Sequence, residues 1–192
     1  MIIYKCVISN DEMFTDSFKV SVSPDDMFYE VEGKIVTRKQ GFDDSLISAN
    51  ASAEEASEFT EDATTSGVDI VLNHSLQETG FDKKGYLAYM KDYSKAVKAH
   101  LEENSPERVE KFVSNVQGAV KRILSDLKNF QFYTGTSMDP TGIVGALNYR
   151  EDGITPYMLF YKDGLVLEKC VSTHLNLQLH LSFMNCAKII LS

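Results

Sequence analysis

Residues 82–128 constrain the fold more than any other stretch, because their apolar side chains recur at helical spacing on both sides of a proline. Tyr86, Tyr89, Met90, Tyr93, Val97 and Leu101 fall on one stripe of a first helix. Val109, Phe112, Val113, Val116, Val120, Ile123, Leu124 and Leu127 repeat the three/four spacing in a second. Such spacing buries one helix face and leaves the other to water. Asn104-Ser105-Pro106 separates the two runs: Ser105 is a residue type that caps helices, and proline suits a first helical turn. A joint this short predicts an antiparallel helical hairpin.

Strand-like segments flank the pair. Met1–Ile8 is apolar and β-branched, while Phe18–Val22 and Phe28–Glu32 alternate, with a turn at Pro24-Asp25-Asp26. Asn10-Asp11-Glu12 reads as an exposed connection, and Val68–Leu72 reads as a strand that follows Gly67. Beyond the helices, Phe130–Tyr133, Ile143–Tyr149 and Tyr157–Tyr161 are apolar runs, and the Asp-Gly pairs at 152–153 and 163–164 are hairpin signals. Strands, a helical pair, then strands again define an α+β domain. Residues 37–66 are rich in Ser, Ala, Thr and acids, a composition that offsets little of the entropy of ordering. They are expected to form a flexible acidic loop.

Charge divides along the chain. Residues 1–81 carry 16 acidic and 5 basic side chains, residues 82–128 carry 7 and 10, and the remainder 5 and 4, which sums to −9. A basic helical pair on an acidic protein can face an acidic protein surface. No basic patch interleaved with aromatics suggests nucleic-acid binding, and no apolar stretch approaches a membrane span. Cys6, Cys170 and Cys186 are odd in number and far apart, which fits a reducing cytoplasm and supplies no CxxC zinc site. His74 and His100 stand alone, and no GxSxG, P-loop or HExxH occurs, so the chain is read as no enzyme.

Several segments carry a family's wording: MIIYKCVISNDEMFTD, VEGKIVTRKQGFDDSLISANASAE, GVDIVLNHSLQETGF, the PERV joint, and NFQFYTGTSMDPTGIVGALNYREDGITPYMLFYKDGLVLEKC. From residue 1 to about 170 the chain resembles the translationally controlled tumour protein family. The resemblance implies a β-rich, tent-like core akin to chaperones of Rab GTPases, a projecting helical hairpin and a flexible acidic loop. Those chaperones' zinc site does not carry over, since no CxxC pair is present. It further implies a cytoplasmic protein, with unconventional secretion as an alternative. Its functions would be calcium binding, tubulin binding with microtubule stabilisation, and growth and survival regulation. Implied partners are a translation elongation factor, anti-apoptotic proteins and a small GTPase whose nucleotide exchange the family has been proposed to regulate.

Site residues follow from the same resemblance. Glu12 matches the family's acidic residue tied to the GTPase role, and Ser45 matches a phosphorylated serine. Where relatives carry basic residues after the first tyrosine of the first helix, this chain has Leu87 and Ala88, leaving Lys91, Lys95 and Lys98 for an acidic partner. Asp43-Asp44 with Glu54, Glu55, Glu58, Glu61 and Asp62 supply oxygens for calcium without EF-hand spacing, so no cofactor is tightly held and any calcium affinity is weak, on the order of 10⁻⁴–10⁻³ M. Asn50-Ala51-Ser52 is a glycosylation sequon left idle in a cytoplasmic chain. The family pattern stops at Cys170. Residues 171–192 read as a tail outside it, poorly ordered or loosely docked, although alternation from His174 to Phe183 also allows one extra edge strand.

Overall fold

The computed structural model describes residues 1–40 and 63–170. Expectations for the tail, for the acids from Asp43 to Asp62, for Ser45 and for the sequon fall outside the described residues.

β1 (Ile2–Cys6) and β2 (Glu12–Thr15) form a hairpin, and β1 also pairs with β11 (Leu165–Lys169), giving a three-stranded antiparallel sheet ordered β11-β1-β2. A second antiparallel sheet has six strands. These are β3 (Lys19–Val22), β4 (Phe28–Glu32), β7 (Gln77–Thr79), β8 (Gln131–Thr134), β9 (Gly145–Tyr149) and β10 (Pro156–Tyr161), in the order β3-β4-β10-β9-β8-β7. β5 (Ile35–Gln40) and β6 (Ala63–Val68) pair with each other, among the described residues, as a two-stranded ribbon.

Alternation explains the joining of the sheets, since every second strand residue faces inward. Phe14 of β2 stacks on Tyr4 of β1 at 4.3 Å and on Phe160 of β10 at 4.9 Å. Tyr29 of β4 meets both Tyr4 and Phe14 edge-on. These rings come from both sheets, and Phe14 and Phe160 are fully buried. Offset and edge-to-face contacts of this kind contribute roughly 0.5–1.5 kcal/mol each beyond the area they bury.

The α+β reading holds, with differences in detail. The ribbon includes residues 37–40 and 63–66, which the composition assigned to the acidic loop, because cross-strand pairing from Ile35↔Val68 to Gln40↔Ala63 supplies the order that burial does not. Residues after Gly67 are not one strand: β6 ends at Val68 and α1 (Asp69–His74) begins. The Asp69 carboxylate accepts from its neighbour Ile70 N–H and from Lys34 N–H at 2.9 and 2.8 Å, which turns the chain there. The β1–β2 connection is tighter than predicted, closing between Cys6 and Asp11 with Asn10 left-handed, so Glu12 opens a strand.

α2 (Lys83–Asn104) and α3 (Pro106–Ser125) are the expected hairpin. Asp82 caps α2 by accepting from Gly85 N–H at 2.8 Å. Ser105 makes no side-chain cap; its backbone N–H instead closes the end of α2 on the Leu101 carbonyl. Tyr86, Met90, Tyr93, Val97 and Leu101 are all buried, so α2 lies against the core along its length. Each such side chain stabilises by roughly 1.5–3 kcal/mol. On α3 the buried residues are Phe112, Ala119 and Ile123, while Val113 is exposed, so the core-facing stripe is rotated from the one read off the sequence.

Candidate functional site

Two places hold the residues singled out by sequence: the mouth of the β1–β2 hairpin, and the outer face of the helical pair. Glu12 lies opposite Lys5 in the ladder, and its carboxylate sits 3.1 Å from His74 Nδ1 at the end of α1. The Glu12 side chain is 42% exposed, whereas that of His74 is only 6% exposed and lies beside the Phe18 ring. Burial pulls the imidazole below its ordinary value, and the Glu12 charge opposes that shift. His74 Nδ1 stands within hydrogen-bonding distance of the Glu12 carboxylate, and burial is the larger of the two opposed effects on the imidazole. His74 is thus not isolated, as its sequence surroundings suggested. The spacing from position 12 to 74 carries no signal of this; only the packing of α1 against β2 makes the pair.

Asp11, next in the chain, points the other way. Its carboxylate accepts from Ser137 Oγ at 2.5 Å and from Ser137 N–H and Thr136 Oγ1 at 3.3 Å. These bonds hold it below the usual carboxylate range against partial desolvation. A Cβ on Gly135 would stand 2.4 Å from Asp11, so the close approach requires glycine. Asp11 thereby anchors the hairpin to the loop after β8 and leaves Glu12 as the carboxylate with a free edge.

On the helical pair, Lys91, Lys95 and Lys98 are exposed, as are Leu87 and Ala88. Lys95 is 3.5 Å from Asp92 and Lys98 is 3.4 Å from Glu102, both on the same helix. Exposed pairs of this kind stabilise by only about 0.3–0.5 kcal/mol and exchange readily for another anion. Beside Lys91, a groove of about 410 Å³ between the helices is lined by Leu87, Met90, Val116, Val120 and Leu124.

What orients this face escaped the sequence reading. Arg108, in the first turns of α3, donates Nε–H to Asp163 at 2.6 Å and Nη2–H to the Asp26 carbonyl at 2.6 Å, and Nη1 binds the Asp26 carboxylate. Lys111 and Lys162 reach the same carboxylate at 2.6 and 2.5 Å. Asp26 sits left-handed in the turn before β4. Lys111, Lys162 and Arg108 together hold its carboxyl far below the ordinary range. Above the hub, Tyr86 and Tyr161 share a hydrogen bond at 3.1 Å and Tyr89 donates to the Gly142 carbonyl at 2.9 Å. The Arg108 of the PERV joint was visible in sequence, but its acids lie 82 and 55 positions away.

Among the described residues no grouping of three His, Cys, Asp or Glu side chains could hold a metal ion, and no helix is long and apolar enough to cross a membrane. Lys91, Lys95 and Lys98 share a helix face, while Glu12 belongs to the separate β1–β2 mouth.

The fold defines an antiparallel β-core domain with a helical hairpin bound across it by aromatic packing and an ionic hub. A family model described as translationally controlled tumour protein matches residues 1–166, and the chain belongs to that family. It is 64% identical over 170 residues to the translationally-controlled tumor protein homolog of Lateolabrax japonicus, covering 88% of this chain and all of that one. It is also similar to two solved structures. The translationally controlled tumor-associated protein p23fyp of Schizosaccharomyces pombe has a TM-score of 0.73 at 49% identity, covering 88% of this chain and all of that one. The translationally-controlled tumor protein of Caenorhabditis elegans has a TM-score of 0.65 at 33% identity, covering 90% and all of it.

Proposed function

We propose that the protein is a non-enzymatic, multi-partner cytoplasmic binding protein that docks tubulin and stabilises microtubules through the outer face of α2, binds calcium weakly, and so serves growth and survival regulation. The observation that carries this is the division of α2 into two faces. One stripe is spent on the core, and the other leaves Lys91, Lys95 and Lys98 in water. A partner can grip that face without disturbing the fold, and lysines suit an acidic surface such as tubulin's. Binding to a translation elongation factor and to anti-apoptotic proteins would use the same kind of surface, and Ser45 would be a regulatory phosphorylation site. Co-sedimentation with microtubules tests the reading. The triple variant Lys91→Glu, Lys95→Glu, Lys98→Glu should bind less tightly and with a flatter salt dependence. Undiminished binding by the triple variant would dispose of it.

A second reading is supported by Glu12, whose half-exposed carboxylate is oriented by a buried histidine. As a regulator of guanine-nucleotide exchange, the protein would speed GDP release from a small GTPase through this carboxylate. Glu12→Val should then abolish the acceleration while leaving microtubule binding intact; equal release rates with and without wild-type protein would reject this reading.

A further inference from the structure

The groove between α2 and α3 is apolar inside and cationic at its rim. Leu87 and Met90 face Val116, Val120 and Leu124 across about 410 Å³, a volume within the range of small-molecule sites. Leu87 is 46% exposed, so this apolar surface is open to water. Its residues follow helical spacing: Leu87, Met90, Lys91 and Ser94 share one stripe of α2, and Val116, Val120 and Leu124 share one of α3. The pair turns back at Ser105, which sets residues nearly equidistant from it about level with each other: Leu87 with Leu124, Lys91 with Lys121, and Ser94 with Gln117. From Leu87 to Ser94 the groove therefore runs about 10 Å, at a rise of about 1.5 Å per residue, from a leucine end to a polar end. Lys91 and Lys121 stand between the two ends, one on each helix. Among the described residues no acid lines the groove. Lys95 and Lys98 are engaged by Asp92 and Glu102 along α2, whereas Lys91 and Lys121 make no ion pair among the described residues. Ser94 Oγ is engaged as well, donating to the Lys91 carbonyl.

We propose that this groove binds a single-chain fatty-acid carboxylate, its head held between Lys91 and Lys121 and its hydrocarbon chain laid along Met90 and Val120 toward Leu87 and Leu124. Charge complementarity selects the ligand. The protein carries a net charge of −9 and repels anions at long range, so a bound anion needs a local pair of cations, and this groove has one. Two level lysines converge on one head group. A docked protein helix would instead call for acids spaced along both rims, and each rim carries a single lysine. An uncharged chain would cover the same apolar side chains and leave both lysines without an anion, while a cationic head would be repelled by them. The site is distinct from the partner-docking face described above: it uses α3 and Lys121, which that face does not need.

Titration of the full-length chain with decanoate, followed through its backbone amide resonances, tests the proposal. Shifts should concentrate at Leu87, Val120, Lys121 and Leu124 and should saturate. Octanoate should bind roughly threefold or more weakly, because each methylene withdrawn from water adds to affinity. Decyltrimethylammonium, the same chain length with a cationic head, should bind roughly fivefold or more weakly than decanoate. Lys121 is exposed, so its replacement leaves the core intact. Lys121→Glu should weaken decanoate binding by roughly fivefold, and Lys121→Arg, which keeps the charge, should bind as wild type does. Equal binding of decanoate and the cationic chain overturns the proposal, as does undiminished binding by Lys121→Glu or a set of shifts that misses the groove. Binding to phosphatidylserine vesicles that decanoate does not displace, with no saturable decanoate binding, also overturns it and would assign the face to membrane surfaces.

Discussion

Replacing Arg108 with alanine should loosen the whole helical pair, and the size of the effect can be worked out. The Arg108 side chain is 19% exposed and that of Asp163 only 5% exposed. Removing the guanidinium strips two hydrogen bonds from a buried carboxylate that has no other basic partner within 4 Å among the described residues. Asp26 keeps Lys111 and Lys162, so its share of the loss is small. Breaking a buried pair from one side costs about 3–5 kcal/mol, and the low end applies here because the hub is partly wet. A loss of about 3 kcal/mol lowers the melting temperature of a domain this size by about 6–12 °C. It moves the urea midpoint down by about 1.5 M for a slope of about 2 kcal/mol/M. A double-mutant cycle isolates the pair. In an Asp163→Asn background the same Arg108→Ala change should cost much less, since no buried charge is stranded. A urea midpoint within about 0.3 M of wild type, or additive costs in the cycle, would refute the reasoning.

Other outcomes follow from single contacts. A Cβ at Gly164 would lie 1.7 Å from the Tyr93 hydroxyl, which is buried with no hydrogen-bond partner among the described residues. Gly164→Ala should therefore destabilise by about 2–3 kcal/mol, and Tyr93→Phe should recover most of that loss in calorimetry while costing little alone. His74 has its folded value below the ordinary 6.5, so below that pH the unfolded chain takes up the proton more readily and stability falls. Denaturation midpoints of wild type should drop as the pH falls through the ordinary histidine value of about 6.5, and His74→Gln should flatten that slope. The Asp26 carboxyl is depressed by its three cations, so its contribution is complete above the ordinary carboxylate value and disappears in acid. Asp26→Asn should lose stability at neutral pH and show a shallower acid transition. Gly135→Ala should push Asp11 off Ser137 and lower the melting temperature, and Asp11→Gly in the same chain, which removes the Cβ as well as the carboxylate, should relieve the clash.

The sequence by itself determined the elements whose order is local. Helical spacing is a property of neighbouring residues, so Tyr86 to Leu101 and Phe112 to Ile123 declared the two helices, and Pro106 marked the joint. Alternation did the same for Phe28–Glu32 and Tyr157–Tyr161, and the long shared wording of residues 1 to about 170 identified the family. Everything that depended on distant residues meeting was decided by the tertiary structure. Residues 37–40 and 63–66 carry few apolar groups, and their order comes from each other across the ribbon. Val113 fits the apolar stripe equally well in spacing, but the docking angle of α3 turned it to water and put Ala119 inside. Glu12 was legible as a candidate, while its histidine was not, because α1 and β2 are 54 positions apart between Thr15 and Asp69. The hub of Arg108, Asp26 and Asp163 has the same origin. Charges separated along the chain carry no mark of partnership until packing removes the water between them, and only then does their attraction become strong enough to hold one helix in place.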